Sequence, residues 1–202
     1  MVTFRVSEVA GVRERLEFSV SGRMVLVAGS RHLVVAERTC RDVLEGFHNL
    51  DFHFFVGCAS GVDESFRQAL SESLYRQDGY VACAFERRAL QAKAQGLRAF
   101  KVVPKGLHPK AALRRRTLWM VKRSSLVVLF PENTYDGEWG PGSKLVFRAS
   151  MYHLKPVFLV SRKAPKESVH YRVAESDLFA TVRGFWVVPH PVEEGGLCDD
   201  ED

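Results

Sequence analysis

Cysteine is scarce in this sequence. There are four, Cys40, Cys58, Cys83 and Cys198, and no two of them have CxxC spacing. That excludes a disulfide framework and makes a reducing compartment the expectation. Cys58 and Cys83 sit in apolar runs and read as buried thiols. The seven histidines form neither HxxH nor HExxH, so no metal site is expected. No apolar run approaches the roughly 18 residues that span a bilayer. The N-terminal stretch has no apolar core of signal-peptide length. A soluble, cytoplasmic protein with no membrane partner is the expectation. GxGxxG is absent, which argues against dinucleotide redox binding of the usual kind, and GxxxxGK[ST] is absent, which argues against a P-loop enzyme. No cofactor is expected.

What the chain does have is an uneven charge. The formal net charge of +5 comes from 29 basic and 24 acidic residues. The last ten residues, Glu193 to Asp202, hold six acids and no base, whereas Arg87 to Arg123 holds twelve bases and no acid. The rest of residues 1–192 has 17 bases and 18 acids. The whole positive excess therefore lies in one stretch. A solvated basic surface would explain it, and so would a ligand rich in negative charge, such as a nucleotide or a nucleic acid.

The 202 residues suit one α/β domain with short additions. Residues 3–20 alternate weakly and fit a β-hairpin or two short strands. Five continuous apolar runs then recur, at Met24–Ala28, Phe52–Val56, Tyr80–Phe85, Leu126–Phe130 and Pro156–Val160, with a shorter one at Phe100–Val103. Helical patterns separate them: Val34–His48, Glu64–Arg76 (with Phe66, Leu70 and Leu74 on one stripe), Arg87–Gln95 before Gly96, Pro109–Arg123 and Ser143–His153. Strands that are apolar throughout, alternating with helices, predict a parallel sheet covered on both faces. The fold class is therefore α/β, a doubly wound, Rossmann-like three-layer sandwich with a mostly parallel sheet. Four segments are expected: a β extension over 1–23, the Rossmann-like domain over 24–160, a C-terminal extension over 161–192 with an edge strand at Phe185–Val188, and a disordered acidic tail over 193–202.

Ligands of such sheets bind outside the carboxyl ends of the strands. Three glycine-bearing turns fall there: Ala28-Gly29-Ser30-Arg31, Gly57-Cys58-Ala59-Ser60-Gly61-Val62-Asp63, and Trp139-Gly140-Pro141-Gly142-Ser143. Glycine lets backbone amides approach an anion, and a helix N-terminus supplies unpaired amides. Ser60 or Ser143 can cap its helix or donate to phosphate. Asp63 can accept from a ribose or base, or simply favour a helix N-terminus. Arg31 can reach a phosphate or stay solvated. Arg114, Arg115 and Arg116 spread around one helix, so only one can enter a common crevice. Tyr135 and Trp139, on the loop after Leu126–Phe130, can stack on bases or pack the loop down.

These motifs resemble the SLOG superfamily of Rossmann-like proteins, which includes YspA-like and YpsA-like proteins, the DNA-processing protein A family and the LOG enzymes. Val27-Ala28-Gly29-Ser30-Arg31 is similar to its "GSR" turn, and Val56 to Asp63 to its "GgARGvD" turn, with Ala69-Leu70 downstream. Arg116-Thr117-Leu118-Trp119-Met120-Val121 resembles "RNxxMv", Leu126–Pro131 resembles "adlvvaFp", and Gly140-Pro141-Gly142-Ser143 with Ala149 and Lys155-Pro156-Val157 resembles "GT…A…gkPv". The resemblance covers about residues 24–160. It implies a nucleotide or nucleotide-derivative pocket contacted by Gly29, Ser30 and Arg31, by Gly57, Gly61 and Asp63, by Arg116, and by Gly142 and Ser143. Ser60 stands where the family usually has arginine, and Val146 stands where LOG enzymes carry a catalytic glutamate. A valine cannot do that work. The leading expectation is a nucleotide-binding or sensing protein. Single-stranded nucleic-acid binding, as in DNA-processing protein A, is the first alternative. Cleavage of an N-glycosidic bond, with Asp63 and Glu132 as candidate carboxylates, is the second. The resemblance also implies a homodimer.

Overall fold

A computed structural model describes residues 1–6, 16–132, 139–166 and 168–190. Tyr135, Cys198 and the acidic segment 193–202 lie outside the described residues.

The chain begins with an antiparallel pair, β1 (Val2–Val6) and β2 (Leu16–Val20), with Phe4 opposite Phe18. Then comes the α/β alternation: β3 (Met24–Gly29), α1 (Glu37–His48), β4 (His53–Val56), α2 (Val62–Glu72), β5 (Gly79–Cys83), α3 (Glu86–Ala94), β6 (Arg98–Lys101), α4 (Pro109–Arg123), β7 (Leu126–Phe130), α5 (Pro141–Tyr152) and β8 (Val157–Leu159). A hairpin, β9 (Tyr171–Leu178) and β10 (Val182–Pro189), closes the described chain. The main sheet has the order β6-β5-β4-β3-β7-β8-β10-β9. The first six of these pair in parallel, while β10 runs antiparallel to both β8 and β9. This is the doubly wound α/β architecture that the apolar runs predict.

Strand periodicity sends alternate residues to opposite faces. In β3, Val25 and Val27 join one core cluster and Leu26 and Ala28 the other. In β7, Leu126, Val128 and Phe130 face the first and Val127 and Leu129 the second. The first cluster is closed by α1, α2, α3 and the β1–β2 pair, and the second by α4 and α5 through Met120, Val121, Val146 and Ala149. Both faces are dry, which is why these strands read as unbroken apolar runs.

Three expectations need correction. The run Phe185–Val188 is not an edge strand. It belongs to β10, between β8 and β9, and the edge is β9. The strand expected at Phe100–Val103 lies two residues earlier, at Arg98–Lys101. Leu74 is not on the buried stripe of α2, because the helix ends at Glu72 and Leu74 is 95% exposed. Ser73 is extended there, donates its hydroxyl to the Leu70 carbonyl and accepts from the Tyr75 amide. That turn swings Leu74 outward and seats Tyr75 on the His48 ring, with centroids 4.3 Å apart.

Candidate functional site

Chain order changes direction at β3. From there it runs outward through β4, β5 and β6, then returns across to β7 on the other side. The point between β3 and β7 is the topological switch, where ligands of doubly wound sheets bind. The first turn occupies it. The Ser30 amide donates to the Phe130 carbonyl at 2.9 Å, and the Ser30 hydroxyl donates to the Glu132 carboxylate at 3.1 Å. The same hydroxyl accepts from the His32 amide at 3.1 Å. Ser30 is buried and Arg31 exposed.

The second turn docks on the first. Gly61 has φ of +67°, a conformation that glycine adopts without strain. A Cβ there would collide with the backbone of Ser30 and Arg31. The Val62 amide donates to the Ser30 carbonyl at 3.1 Å, and the exposed Ser60 hydroxyl to the Arg31 carbonyl at 3.2 Å. Arg67, one turn further along α2, donates to the carbonyls of Gly57 and Ala59 at 2.8 and 2.9 Å. Nothing in the sequence motifs singles out Arg67. Its helical spacing from Asp63 is the only signal that it faces the same turn.

Asp63 and Arg116 meet beneath this turn. Arg116 Nη1 lies 3.2 Å from Asp63 Oδ2, with both side chains under a tenth exposed. Asp63 also accepts from the Ala59 amide at 3.1 Å. Gly57 makes room for the pair, since a Cβ there would strike both partners. Arg116 Nε is buried without a hydrogen-bond partner. Of the three consecutive arginines, Arg116 is the buried one, and Arg114 and Arg115 face solvent.

The third turn differs from the other two. Gly140 caps α5, followed by Pro141 at its first position. A Cβ at Gly140 or Gly142 would meet nothing within 4 Å, and neither glycine has positive φ. Packing therefore does not require glycine at either position. Ser143 is buried, and its hydroxyl has no hydrogen-bond partner. Trp139 is half-buried and sits edge-on against Phe147, with centroids 5.1 Å apart. Val146 is buried in the second core cluster.

Gly29, Ser30, Arg31, Gly57, Ser60, Gly61, Asp63, Arg116 and Glu132 are thus joined by direct contacts. Among the described residues no hydrogen bond ties Gly140, Gly142 or Ser143 to them. The basic segment wraps α3, the edge strand β6 and α4. Among the described residues, no member of it except Arg116 pairs with a carboxylate. Arg87, Arg88, Lys101, Lys105, Lys110 and Arg114 fall where β5 and β6 end and where α3 and α4 begin. Lys93, Arg98, Lys122 and Arg123 fall at the other end of the same elements, where β6 begins and α3 and α4 finish. No helix among the described residues is long and apolar enough to cross a membrane.

No protein-family model matches the chain, and neither does any curated protein. Solved structures do. DNA processing protein A from Helicobacter pylori, described with a single-stranded DNA binding mode, superposes with a TM-score of 0.55 at 12% identity, over 82% of this chain and 84% of that one. DNA processing protein A from Streptococcus pneumoniae gives a TM-score of 0.50 at 16% identity, over 73% of this chain and 52% of that one. At such identities the likeness is one of fold: the chain has a Rossmann-like fold similar to that of DNA processing protein A.

Proposed function

We propose that this chain binds single-stranded nucleic acid along the edge where its parallel strands end. The observation that carries the reading is the set of six cations at that edge, Arg87, Arg88, Lys101, Lys105, Lys110 and Arg114, none of them neutralised by a carboxylate among the described residues. The 15-residue helix α4 starts at the same edge and adds the partial positive charge of its N-terminus. The motif order over 24–160 supports a SLOG-like relationship, and the Helicobacter pylori neighbour's single-stranded DNA binding favours this ligand over a free nucleotide. Trp139, half-buried against Phe147, is the candidate for stacking on a base.

Each phosphate contact on a single strand contributes about −0.7 to the slope of log K against log salt. Six contacts give a slope near −4. The test is fluorescence anisotropy with a labelled oligothymidylate across a salt series. Replacing Lys105, Lys110 and Arg114 together by alanine should flatten the slope by about 2. Replacing Lys93, Lys122 and Arg123 should leave it nearly unchanged. No complex at about 50 mM salt, or equal losses from the two triples, overturns the reading.

A second reading, a pocket for a nucleotide derivative, is favoured by the third turn. Gly140 and Gly142 leave open space at the N-terminus of α5, beside the buried, unpartnered Ser143 hydroxyl. Calorimetry with mono-, di- and cyclic nucleotides, NAD and ADP-ribose tests it, and no heat from any of them removes it. A homodimer, which the SLOG resemblance implies, is tested by light scattering.

A further inference from the structure

Cys58, in the turn after β4, and Cys83, at the end of β5, are neighbours at the end of the sheet. Val56 pairs with Val81 in parallel register, and two residues further on each chain carries its cysteine, Cys58 in the turn after β4 and Cys83 at the end of β5. Both side chains face the first core cluster. Adjacent strands lie about 4.8 Å apart, inside the roughly 4.4–6.8 Å Cα separation that a disulfide spans. Both thiols are free.

Their surroundings differentiate the two. The neighbouring Cys83 side chain holds the Cys58 thiol below its ordinary range, and the nearby Arg116 guanidinium acts in the same direction. The same contact and burial push Cys83 up. Cys58 also lines a cavity of about 330 Å³ between α2 and α3, with Glu64, Arg67, Arg88, Gln91 and Gln95. Cys83 is fully buried behind it. Cys40, the other described cysteine, is fully buried and pushed up to about 12 by burial and by Glu37.

We propose that Cys58 and Cys83 form an oxidisable dithiol, with Cys58 the sulfur that a hydroperoxide reaches and Cys83 the sulfur that resolves it. The Cys58 thiolate attacks the terminal peroxide oxygen. The O–O bond breaks, and the departing alkoxide takes a proton and leaves as an alcohol, or as water from hydrogen peroxide. Cys58 is now a sulfenic acid. The Cys83 sulfur attacks the sulfenic sulfur, the S–S bond forms, the S–O bond breaks, and water leaves with the Cys83 proton. Two electrons pass from the sulfur pair to the peroxide. The new bond tethers the second glycine turn to β5, and thiols reopen it by exchange. This inference does not rest on the nucleic-acid reading.

The experiment treats the full chain with hydrogen peroxide, alkylates the remaining thiols, and maps tryptic peptides by mass. Arg67 and Arg76 lie between the two cysteines, so trypsin separates them unless they are linked. A peptide pair joining Cys58 to Cys83, reversible by dithiothreitol, is expected. Dimedone should label Cys58 in Cys83→Ser, and Cys58→Ser should abolish both the link and the label. A third measurement needs no variant: iodoacetamide should modify Cys58 in the reduced native protein at least about tenfold faster than Cys40. Overturning results are two thiols that stay alkylatable after peroxide, a link from Cys58 to Cys198 in place of Cys83, or equal alkylation of Cys58 and Cys40.

Discussion

Arg116 shows how far single residues can be read ahead of the fold. It is the third of three consecutive arginines, and helical geometry already requires that they point in different directions. Which one turns inward depends on the angle at which α4 lies across the sheet, and sequence spacing does not contain that angle. Resemblance selects Arg116 and Asp63 together and makes both of them ligand contacts. In the structure they bond to each other at 3.2 Å, sheltered by Gly57. A buried charge left without its partner costs about 3–5 kcal/mol. Asp63→Asn and Arg116→Met should therefore each destabilise the chain by about 3 kcal/mol in urea unfolding. The double variant leaves neither charge behind and should cost at least about 1 kcal/mol less than the sum. Additive losses would mean that the pair is not coupled. Ser30 and Glu132 are a milder case. Glu132 stands out in the sequence only as an acid near a strand end, but the parallel register of β3 and β7 brings it to the Ser30 hydroxyl.

Elements with two dry faces were legible, and elements with one wet face were less so. β3, β4, β5, β7 and β8 announce themselves as apolar runs because helices cover both sides of them. β9 reads Tyr-Arg-Val-Ala-Glu-Ser-Asp-Leu and has only Leu178 fully buried. It is an edge strand whose charges suit solvent, so its residues resemble a loop. Its position beside β10 then makes Phe185–Val188 an interior strand. The β1–β2 pair was legible as a hairpin, but its docking site was not. Phe18 stacks on Phe4 at 5.3 Å and meets Trp186 of β10 at 4.8 Å, while Trp186 also touches Phe158 of β8 at 5.1 Å. That aromatic cluster ties the first described element to the last. Removing a buried phenylalanine costs about 3–5 kcal/mol. Phe18→Ala should lower unfolding free energy by about 3 kcal/mol, and Phe4→Ala, at a half-buried ring, by less. Loss of under about 1 kcal/mol in Phe18→Ala would show that the hairpin is an ornament on the sheet and not part of its core.

On the scale of the whole molecule, charge is sorted by place. The scaffold is near neutral. The basic segment wraps the β6 side of the sheet through α3, β6 and α4, and the acids of the last ten residues carry the opposite sign. The sequence showed the sorting but not its geometry. Twelve bases between Arg87 and Arg123 could have ringed the molecule, and the order β6-β5-β4 at the sheet edge keeps the segment that carries them on one side of it. A covalently attached acidic peptide competes for such a surface at high effective concentration. If the acidic segment occupies that surface, an external polyanion must displace it first. Deleting residues 193–202 should therefore tighten oligothymidylate binding at low salt, by several fold, and raise the formal net charge by the six acids removed. The gain should shrink as salt screens both interactions, because exposed charges beyond about 10 Å are largely screened at 0.1 M. The comparison is made by anisotropy on the full chain and the truncated one across the same salt series. Unchanged affinity at low salt would show that the acidic segment does not reach the basic face. A gain that persists undiminished at high salt would show that it acts by something other than charge.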